Sequence, residues 1–541
     1  MCPDLIVTAI SRILKLVFRP RTAYVATVAV FFWLVAAFYL PGKGFTVFVS
    51  FGENTAERYL PELKGMDVYI EPESGGYDAQ HYAQIAMRPQ IRDPELAAAV
   101  DNISYRARRI LFSWTAWVLG GGDPERVLHV FAMQNIVYWL ALAALLLRWF
   151  PADSWGNYLR WVAVLFSYGV WFSVRGALVD GPSLLLIAAG VALAEQGRTC
   201  WSAVVLGVSG LAKETNILAG GVLLDFKDRT PAGWGKLAVR SALVLLPLAV
   251  WVSYLWSIFG GAGGAGERNF AVPLAGFLEK WGQTLAQWDS ARPSPLNYPS
   301  LLWMITVTVQ FLFIVLRPRW DELWWRVGAA FAVLMVFLGA AVWEGEPGAA
   351  GRVLLPMGLA FNVLLPRGRA WLAVLLLGNL TIFGIGRNLN LPGYQSFEVS
   401  GSPELRLDTA SRQRVEVMFT SGWYPPERSR AEYWRWSNGP TAVAIVNPHA
   451  STLVADVQFG LRSRAVRQVT IRSSAENTVI WSGAVTDEVV PVDLRGVRFG
   501  PGETVWRFET DVPAEVPGPN DSRAVAFSLR NLVIHLERAG E

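Results

Sequence analysis

Long apolar runs recur along this chain of 541 residues, and they restrict its fold more than any other feature. Hydrophobic residues make up 52% of the sequence and charged residues only 17%, with a mean hydropathy of +0.31. This composition is typical of a multi-span membrane protein and not of a soluble domain. The clearest runs cover residues 22–41, 127–149, 158–175, 183–197, 237–259, 299–317, 324–343, 351–366 and 370–387.

One further run, 201–226, is long enough for a span but carries Lys213 and Glu214 near its middle. Two charges at mid-bilayer are costly unless they face protein or water. We therefore interpret the run as two short helices that meet at the outer side, with Lys213-Glu214-Thr215 at the tip. Broken helices of this kind often line a binding cavity. The predicted total is then about eleven spans.

Charge placement gives the predicted orientation in the membrane. Basic residues between Arg12 and Arg21 precede the first span, and no small-residue cleavage site follows it, so this segment is not a cleavable signal. With the N-terminus in the cytoplasm, the short basic connections all fall on the cytoplasmic side. The loop 42–126 then lies outside, and segment 105–120 fits as a helix at the outer interface.

From about residue 395 the pattern changes to short alternating runs separated by turn clusters. This period-two pattern predicts a β-sandwich, and about 145 residues are enough for a separate core. The predicted fold is therefore a mainly α-helical membrane domain, 1–394, followed by an extracytoplasmic β-sandwich, 395–541. The predicted strands are Arg414–Thr420, Ala442–Val446, Leu453–Leu461, Val466–Ile471, Thr478–Ser482, Thr504–Glu509, Val525–Leu529 and Leu532–Leu536.

Overall charge and reactive residues exclude several classes of protein. The formal net charge is only +4 and the arginines are scattered, which argues against a nucleic-acid partner. Two cysteines cannot form a disulfide framework or a cysteine-based metal site. The four histidines are too dispersed to suggest zinc, and no acidic cluster requires a metal ion.

The segment Gly75-Gly76-Tyr77-Asp78-Ala79-Gln80-His81-Tyr82 carries the first candidate chemistry. The glycine pair allows a sharp turn into a helix, which places Asp78 in the first helical turn. A carboxylate there is stabilised by the helix dipole and can take a proton from an attacking hydroxyl. Tyr77, Gln80 and His81 share the neighbouring helix face and are candidate substrate contacts. The alternative is that Asp78 only stabilises the start of the helix.

Charged residues on the predicted outer side form a second candidate group. Three arginines, Arg106, Arg108 and Arg109, open the interfacial helix against the positive-inside trend. Arginine pairs well with phosphate oxygens, and Arg106 and Arg109 are the candidate contacts. The pair Lys213 and Glu214 requires a polar cavity. Arg352 and Glu344 flank a late outer loop, and Arg175 and Asp180 bracket another short outer loop. The alternatives are a basic anchor on lipid phosphates for the arginines and a mutual ion pair for Lys213 and Glu214.

Aromatic residues gather in the β-domain around Pro425-Pro426. Trp423, Tyr424, Trp434 and Trp436 are candidate stacking platforms for sugar rings, or else core packing.

The chain resembles the GT-C superfamily of integral-membrane glycosyltransferases over roughly residues 20–390. Gly76-Tyr77-Asp78-Ala79-Gln80-His81-Tyr82 is similar to the Gly-Tyr-Asp-Gly-Gln-aromatic-Tyr motif of a group of uncharacterised bacterial GT-C-like proteins. Ala79 and His81 depart from that motif. Tyr105–Leu111, Ala212–Thr215 and Arg352–Pro356 are similar to other recurring segments of the group, although arginine is commoner at the position of Lys213. The C-terminal domain resembles a β-sandwich appended to some members, which is loosely similar to carbohydrate-binding modules.

The resemblance implies a multi-pass protein of the bacterial inner membrane that uses a polyprenyl-phosphate-linked sugar donor. It implies inverting transfer to a glycan, lipid or protein acceptor on the outer face, with Asp78 as general base. Arg109, Lys213 and Arg352 would hold the donor phosphate, and Glu214 would position Lys213 or the sugar. The resemblance leaves a divalent metal ion open and implies no other cofactor.

Two other functions remain open from the sequence. The first is a transporter or flippase for lipid-linked glycans, although only one broken helix and no repeated half is evident. The second is a non-catalytic, glycan-binding assembly factor in which the β-domain does the work. Convergence of Asp78, Lys213 and Arg352 on one cavity would favour the glycosyltransferase.

Overall fold

The fold is described from a computed structural model. It covers residues 19–40, 43–71, 74–224, 230–260, 267–287, 299–345 and 348–389, and, in the C-terminal part, 396–398, 405–406, 414–420, 422–428, 432–447, 452–474, 478–517, 521 and 523–538. Of the basic residues predicted to precede the first span, those from Arg12 up to, but not including, Arg19 lie outside these ranges. Two compact units divide the chain: residues 1–37, 58–64 and 77–389 form the first, and residues 38–57, 65–76 and 390–541 form the second.

The first unit is helical. Its α-helices are α1 (Pro20–Ala36), α2 (Pro61–Lys64), α3 (Asp78–Met87), α4 (Pro94–Ala99), α5 (Ile103–Arg106), α6 (Ile110–Leu119), α7 (Pro124–Leu146), α8 (Trp155–Leu165), α9 (Tyr168–Arg175), α10 (Asp180–Glu195), α11 (Thr199–Ala212), α12 (Pro231–Phe259), α13 (Ala275–Ala286), α14 (Pro299–Leu316), α15 (Leu323–Phe337), α16 (Ala340–Trp343), α17 (Ala350–Val353), α18 (Leu355–Leu364) and α19 (Leu372–Leu377). Its longer 3₁₀ segments are Glu214–Leu223 and Leu380–Leu389.

Three of the described helices, α7, α12 and α14, are long and apolar enough to cross a membrane. A fourth span is formed if Arg369–Leu377 and Leu380–Gly386, which meet at an angle of 44°, count as one. Other predicted spans are shorter or broken: the run 158–175 is divided between α8 and α9 at Ser167. The predicted number of about eleven spans therefore stays a prediction.

The run 201–226 breaks at the residue that the sequence analysis singled out. Helix α11 ends at Ala212, Lys213 has an extended backbone with φ −159° and ψ 127°, and a 3₁₀ segment begins at Glu214. The prediction of a broken helix with its charges at the tip is confirmed. The break turns both charged side chains out of the continuous helical register.

A close backbone approach fixes the position of α17. A Cβ atom built on Gly169 in α9 would lie 2.5 Å from the carbonyl oxygen of Gly351, and one built on Gly351 would lie 2.9 Å from Nε1 of Trp303. Neither site has room for a side chain unless its neighbour moves, which is the backbone of Gly351 in the first case and the indole of Trp303 in the second. The close packing of α9 on α17 holds the next residue, Arg352, in place.

The second unit consists of β-structure. A short parallel pair, β1 (Phe51–Gly52) and β2 (Ile70–Glu71), belongs to it, although the sequence analysis placed these residues in the membrane domain. The remaining strands are β3 (Ser396–Glu398), β4 (Leu405–Arg406), β5 (Arg414–Phe419), β6 (Glu427–Arg428), β7 (Tyr433–Trp436), β8 (Thr441–Asn447), β9 (Leu453–Ser463), β10 (Arg467–Ser473), β11 (Thr478–Val485), β12 (Val490–Phe499), β13 (Gly502–Thr510) and β14 (Phe527–Arg538).

Two antiparallel sheets enclose the core of this unit. One has the strand order β11-β10-β13-β8-β5-β3, and the other has the order β12-β9-β14-β7-β6 with β4 beside β14. Alternate residues of both sheets, among them Ile445, Val469, Leu461 and Ile534, are buried in one hydrophobic cluster, as expected for a sandwich. The two predicted strands near the C-terminus are a single strand, β14, with a bulge at Asn531, whose φ is +50°.

Arg160 holds the end of α18 in the first unit. Only 5% of it is exposed, and it donates hydrogen bonds to the carbonyl oxygens of Asn362 (2.8 Å), Leu365 (2.8 Å) and Pro366 (3.0 Å). The last carbonyls of a helix have no partners within the helix, so this guanidinium satisfies them.

We expect Arg160→Met to lower the free energy of unfolding by about 3 kcal/mol, because three buried acceptors lose a charged donor. The thermal midpoint in detergent should fall clearly below that of the wild type. The matched control is Arg148→Gln, which removes a half-exposed ion pair with Glu195 and should leave the midpoint within error. Equal midpoints for the two variants would contradict the role given to Arg160.

Candidate active site

A cavity of about 470 Å³ in the first unit collects most of the charged residues that the sequence analysis selected. Asp78 comes from the first turn of α3, Lys213 from the break after α11, and Arg352 from α17. The wall also carries Arg106, Arg108 and Arg109, together with Asp180 and Glu214. Residues more than 270 positions apart in sequence thus converge on one space.

Asp78 is held by two arginines. Its Oδ1 atom accepts a hydrogen bond of 2.9 Å from Nη1 of Arg106, and its Oδ2 atom lies 3.7 Å from Nη2 of Arg352. The Asp78 side chain keeps 28% of its surface exposed. One carboxylate oxygen is therefore fully engaged, whereas the other makes only a long ionic contact and faces the cavity.

Asp101 and His81 extend this network away from the cavity. Arg106 donates two hydrogen bonds to Asp101, of 3.0 Å and 2.7 Å. Burial alone would raise the pKa of Asp101, but these bonds from Arg106 outweigh it and the pKa lies below the usual range. Nε2 of His81 lies 3.7 Å from Asp101, and burial of the imidazole lowers the pKa of His81.

Arg352 and Lys213 share a second carboxylate. Asp180, only 3% exposed, pairs with Nζ of Lys213 and, at 3.2 Å, with Nη1 of Arg352. Nη2 of Arg352 also donates to the hydroxyl of Tyr77 at 3.3 Å. Arg352 therefore links the Asp78 and Asp180 sides of the cavity.

The loop before α10 fixes Asp180. Ala177 has a φ of +43°, a left-handed conformation that is rare for a residue with a side chain. The loop is held by its neighbours: Asn135 and Ser173 both donate to the carbonyl oxygen of Leu178, and Gly181 N donates to the hydroxyl of Ser173 at 2.8 Å. Local backbone strain of this kind persists only where surrounding contacts determine it.

Glu214 binds Arg109 and not Lys213, so the alternative that Glu214 pairs with or positions Lys213 is wrong. Nε of Arg109 lies 3.1 Å from Oε2 of Glu214, and its terminal nitrogens donate to the hydroxyls of Tyr82 (2.9 Å) and Tyr105 (3.0 Å). The extended backbone at Lys213 points the two adjacent side chains to different partners. All hydrogen-bonding nitrogens of Arg109 thus have partners.

Positive charge is in excess in the cavity wall, where five basic side chains face three acidic ones. Arg108 is the basic residue for which the described ranges offer no ion pair. It lies 5.8 Å from the centre of the Tyr105 ring. The hydroxyl of Thr215, also in the wall, is buried and has no hydrogen-bond partner among the described residues. The guanidinium of Arg108 is available to a ligand.

Other predicted site residues lie outside the cavity wall. Gln80 is buried and accepts a hydrogen bond of 2.9 Å from the hydroxyl of Tyr59, so it supports the fold of α3. His81 faces Asp101. Glu344 forms an exposed ion pair with Arg268. Tyr77 precedes Asp78 in the chain, and its hydroxyl accepts a hydrogen bond of 3.3 Å from Arg352.

The fit of a divalent metal ion to this cavity is poor. Within the described ranges, no group of three or more His, Cys, Asp or Glu side chains could hold a metal ion. Each of the three carboxylates in the wall is already paired with a different basic side chain. The three therefore do not form a cluster that could bind one ion together. Hard divalent cations prefer several oxygen ligands together.

In the β-unit, the four aromatic candidates have different environments. Trp423 packs edge-on against Phe419, Phe508 and Phe527 in the core and donates to the carbonyl oxygen of Ala442, so it is a packing residue. The Tyr424 hydroxyl donates to the carbonyl oxygen of Ala524. The guanidinium carbon of Arg530 lies over Trp434, 4.6 Å from the centre of its ring. Trp436 lines a surface opening.

The sequence analysis named Asp180 only as a residue that brackets an outer loop, and it did not name Asp101. The signal for Asp180 is an acid at the start of an apolar helix, in Asp180-Gly181-Pro182, where a buried charge requires a cationic partner. Asp101 had no such signal, since it stands in a polar loop.

Comparison with known proteins gives only distant similarities. No protein-family model matches this sequence, and no curated protein does either. Among solved structures, the arabinosyltransferase EmbB from Mycobacterium smegmatis is similar at 12% identity and a TM-score of 0.28, over 85% of this chain and 62% of that enzyme, less than two thirds of its length. A family 29 carbohydrate-binding module is similar at 13% identity and a TM-score of 0.16, over 26% of this chain and 87% of the module. A module in complex with β-1,4-galactotriose is similar at 11% identity and a TM-score of 0.16, over 23% of this chain and 88% of the module. Scores at this level do not establish a common fold, so the functional argument rests on the cavity.

Asp180 should be essential for the integrity of the site, because its carboxylate pairs with both the buried Lys213 and Arg352. We expect Asp180→Asn to lower the free energy of unfolding by about 3–5 kcal/mol, since removing one partner leaves buried charge uncompensated. The double variant Asp180→Asn/Lys213→Met should recover part of this loss, as double-mutant cycles show for paired residues. Thermal unfolding in detergent measures both effects.

The matched control is Glu344→Gln, which breaks the exposed pair with Arg268 and should cost less than about 1 kcal/mol. An additive double variant would show that Asp180 and Lys213 are not coupled.

Proposed function

We propose that this protein is a membrane glycosyltransferase that moves a sugar from a polyprenyl-phosphate-linked donor to an acceptor hydroxyl, with inversion at the anomeric carbon. The observation that carries the proposal is the convergence of Asp78, Lys213 and Arg352 on one cavity. A carboxylate with one exposed oxygen is thereby combined with an excess of positive charge. Transfer from a phosphate-linked sugar requires both a proton acceptor and groups that stabilise the departing phosphate.

The donor phosphate matches the charge of the wall. A phosphodiester carries one negative charge, and the phosphate released from it gains a second as the bond to the sugar breaks. Positive groups fixed around the leaving oxygen therefore interact more strongly with the transition state than with the bound donor. Arg352 and the unpaired Arg108 are the groups that we assign to the phosphate, with Lys213 behind Arg352. Arg109 would contribute charge while it stays bound to Glu214.

Asp78 is assigned as the general base. The acceptor oxygen would form the new bond to the anomeric carbon while its proton passes to Oδ2 of Asp78. The bond between the anomeric carbon and the phosphate oxygen would break, and its electron pair would leave with the phosphate. Arg106 holds Oδ1 of Asp78 at 2.9 Å, which would keep Oδ2 directed at the acceptor. A phosphate bound to Arg352 would compete with the long contact to Asp78 and so leave Oδ2 more basic.

The lipid part of the donor would lie on the apolar side of the same cavity. Phe270, Leu334, Leu338 and Val342 also line the cavity. An apolar surface next to a polar one suits an amphiphilic substrate, since each part of it is met by matching groups. The proposed setting is the bacterial inner membrane, with the N-terminus in the cytoplasm and the cavity on the outer side. The β-unit would bind a glycan acceptor.

We expect Asp78→Asn to reduce sugar transfer by about 10²- to 10⁴-fold, the usual contribution of a positioned base. The assay is transfer from a panel of radiolabelled polyprenyl-phosphate sugars, with membranes that contain the wild type or the variant. The amide is isosteric and can still accept from Arg106, so donor binding should persist. Transfer at the wild-type rate by Asp78→Asn would show that the base is wrongly assigned.

The outcome for the wild type separates the alternatives. Donor binding without transfer for every sugar and acceptor would favour a transporter or an assembly factor over an enzyme.

Arg108→Gln should raise the KM for the donor by about tenfold or more, with a smaller change in kcat, because it removes a charge-assisted contact to the phosphate. Its control is Arg126→Gln, an exposed arginine outside the cavity, which should leave both constants unchanged. An unchanged KM in Arg108→Gln would place the phosphate elsewhere in the cavity.

A further inference from the structure

A second candidate site lies on the β-unit, on the sheet formed by β12, β9, β14, β7 and β6. An opening of about 380 Å³ is lined by Trp436, Arg462, Arg464 and Asp487. None of these residues belongs to the charged cavity of the helical unit. One aromatic ring is thus combined with two guanidinium groups and one carboxylate.

Strand register brings these side chains together. Trp436 on β7 is paired with Ser528 on β14, and Ser528 is paired with Arg462 on β9. Directly paired residues point to the same face of a sheet. The neighbouring positions Arg435, Leu529 and Leu461 are buried, so Trp436 and Arg462 lie on the opposite, outward face. Ser528, between them, donates to the carbonyl oxygen of Arg462 and is fully covered.

The loops at the end of β9 supply the rest of the site. Arg462 donates to the carbonyl oxygen of Asp487 at 2.7 Å and to its carboxylate at 2.9 Å, which fixes this guanidinium over the opening. Arg464 donates one hydrogen bond, from Nη1 to the carbonyl oxygen of Pro517 at 3.1 Å. Two arginines therefore face one carboxylate, and Arg464 retains donors that have no acceptor among the described residues.

Trp434 differs from Trp436, although both lie on the same face of β7. Arg530 stacks on Trp434 and pairs with Glu432, and Nε1 of Trp434 donates to Glu427 at 3.2 Å. The ring of Trp434 is therefore occupied by its own neighbours. Trp436 is the ring that borders open space.

We propose that this opening binds a glycan that carries a negatively charged substituent, a carboxylate or a phosphate ester. Trp436 would stack on the carbon-bonded hydrogens of one sugar ring, since indole offers a large, rigid apolar surface. Arg464 would pair with the anionic group, and its planar fork suits either acid. Asp487 would accept from sugar hydroxyls while it orients Arg462. The excess of one positive charge favours acidic over neutral glycans.

The proposal extends the proposed function, because it names the class of glycan that the β-unit would present as acceptor. Binding at this opening does not depend on transfer, so the two can fail separately.

The test uses the full-length protein in nanodiscs of neutral lipid and measures glycan binding by calorimetry. The probes are oligogalacturonate and a neutral galactose oligomer of the same length. We expect the acidic oligomer to bind at least about tenfold more tightly at low salt, and the difference to shrink as ionic strength rises. Trp436→Ala should weaken binding of both oligomers about tenfold. Arg464→Gln should remove the preference for the acidic oligomer.

The control is Arg472→Gln, which alters an exposed arginine paired with Glu509 in the other sheet and should leave both affinities unchanged. Arg464 is exposed, so its variant tests the proposal even if Trp436→Ala unfolds the β-unit. Equal affinity for the two oligomers, failure to bind either, or an unaltered preference in Arg464→Gln would overturn the proposal. Sugar transfer measured on the same preparations would show whether the proposed enzymatic function fails independently.

Discussion

The contact of the buried Asp180 carboxylate with Lys213 and Arg352 is the interaction on which the candidate site depends. A lysine 8% exposed and an arginine beside it would repel each other and carry a large desolvation cost without this anion. Asp180 removes that cost and fixes both cations at the same time. Because Arg352 also contacts Asp78, the position of the proposed base depends on Asp180, whose two carboxylate oxygens are both paired with cations.

The cavity therefore contains two kinds of carboxylate with different environments. Asp180 is closed off from solvent and acts on its neighbours, whereas Asp78 has one open oxygen and borders the space where a ligand would lie. Glu214 resembles Asp180 in function, since it orients Arg109 together with two tyrosine hydroxyls. Ordered ion pairs of this kind hold polar groups in fixed directions before a ligand arrives, which lowers the reorganisation needed at the transition state.

Local features of the structure could be predicted from the sequence, whereas the residues that pair with each charged side chain could not. Two charges inside an apolar run sufficed to place the break after α11, and a glycine pair sufficed to place Asp78 in the first turn of α3. Strand β12 was missed because Pro491 argues against a central strand; it is tolerated here since β12 lies at the edge of its sheet. The run 158–175 is mostly apolar and has no proline or mid-run charge pair, so its hydropathy did not indicate the division at Ser167. The pairing of Glu214 with Arg109, 105 residues away, depends on tertiary packing that hydrophobic periodicity does not describe.

The contact between Gly169 and Gly351 has a consequence for how variation in this protein should be interpreted. These two positions carry no functional group, yet the missing side chains allow α17 to approach α9 closely enough for Arg352 to reach Asp180 and Tyr77. A survey that weighs only polar positions would treat both glycines as neutral. A methyl group at Gly169 would push against the backbone of Gly351, and one at Gly351 would push against the indole of Trp303. Either change would shift α17, so a substitution that removes no polar group would still displace Arg352.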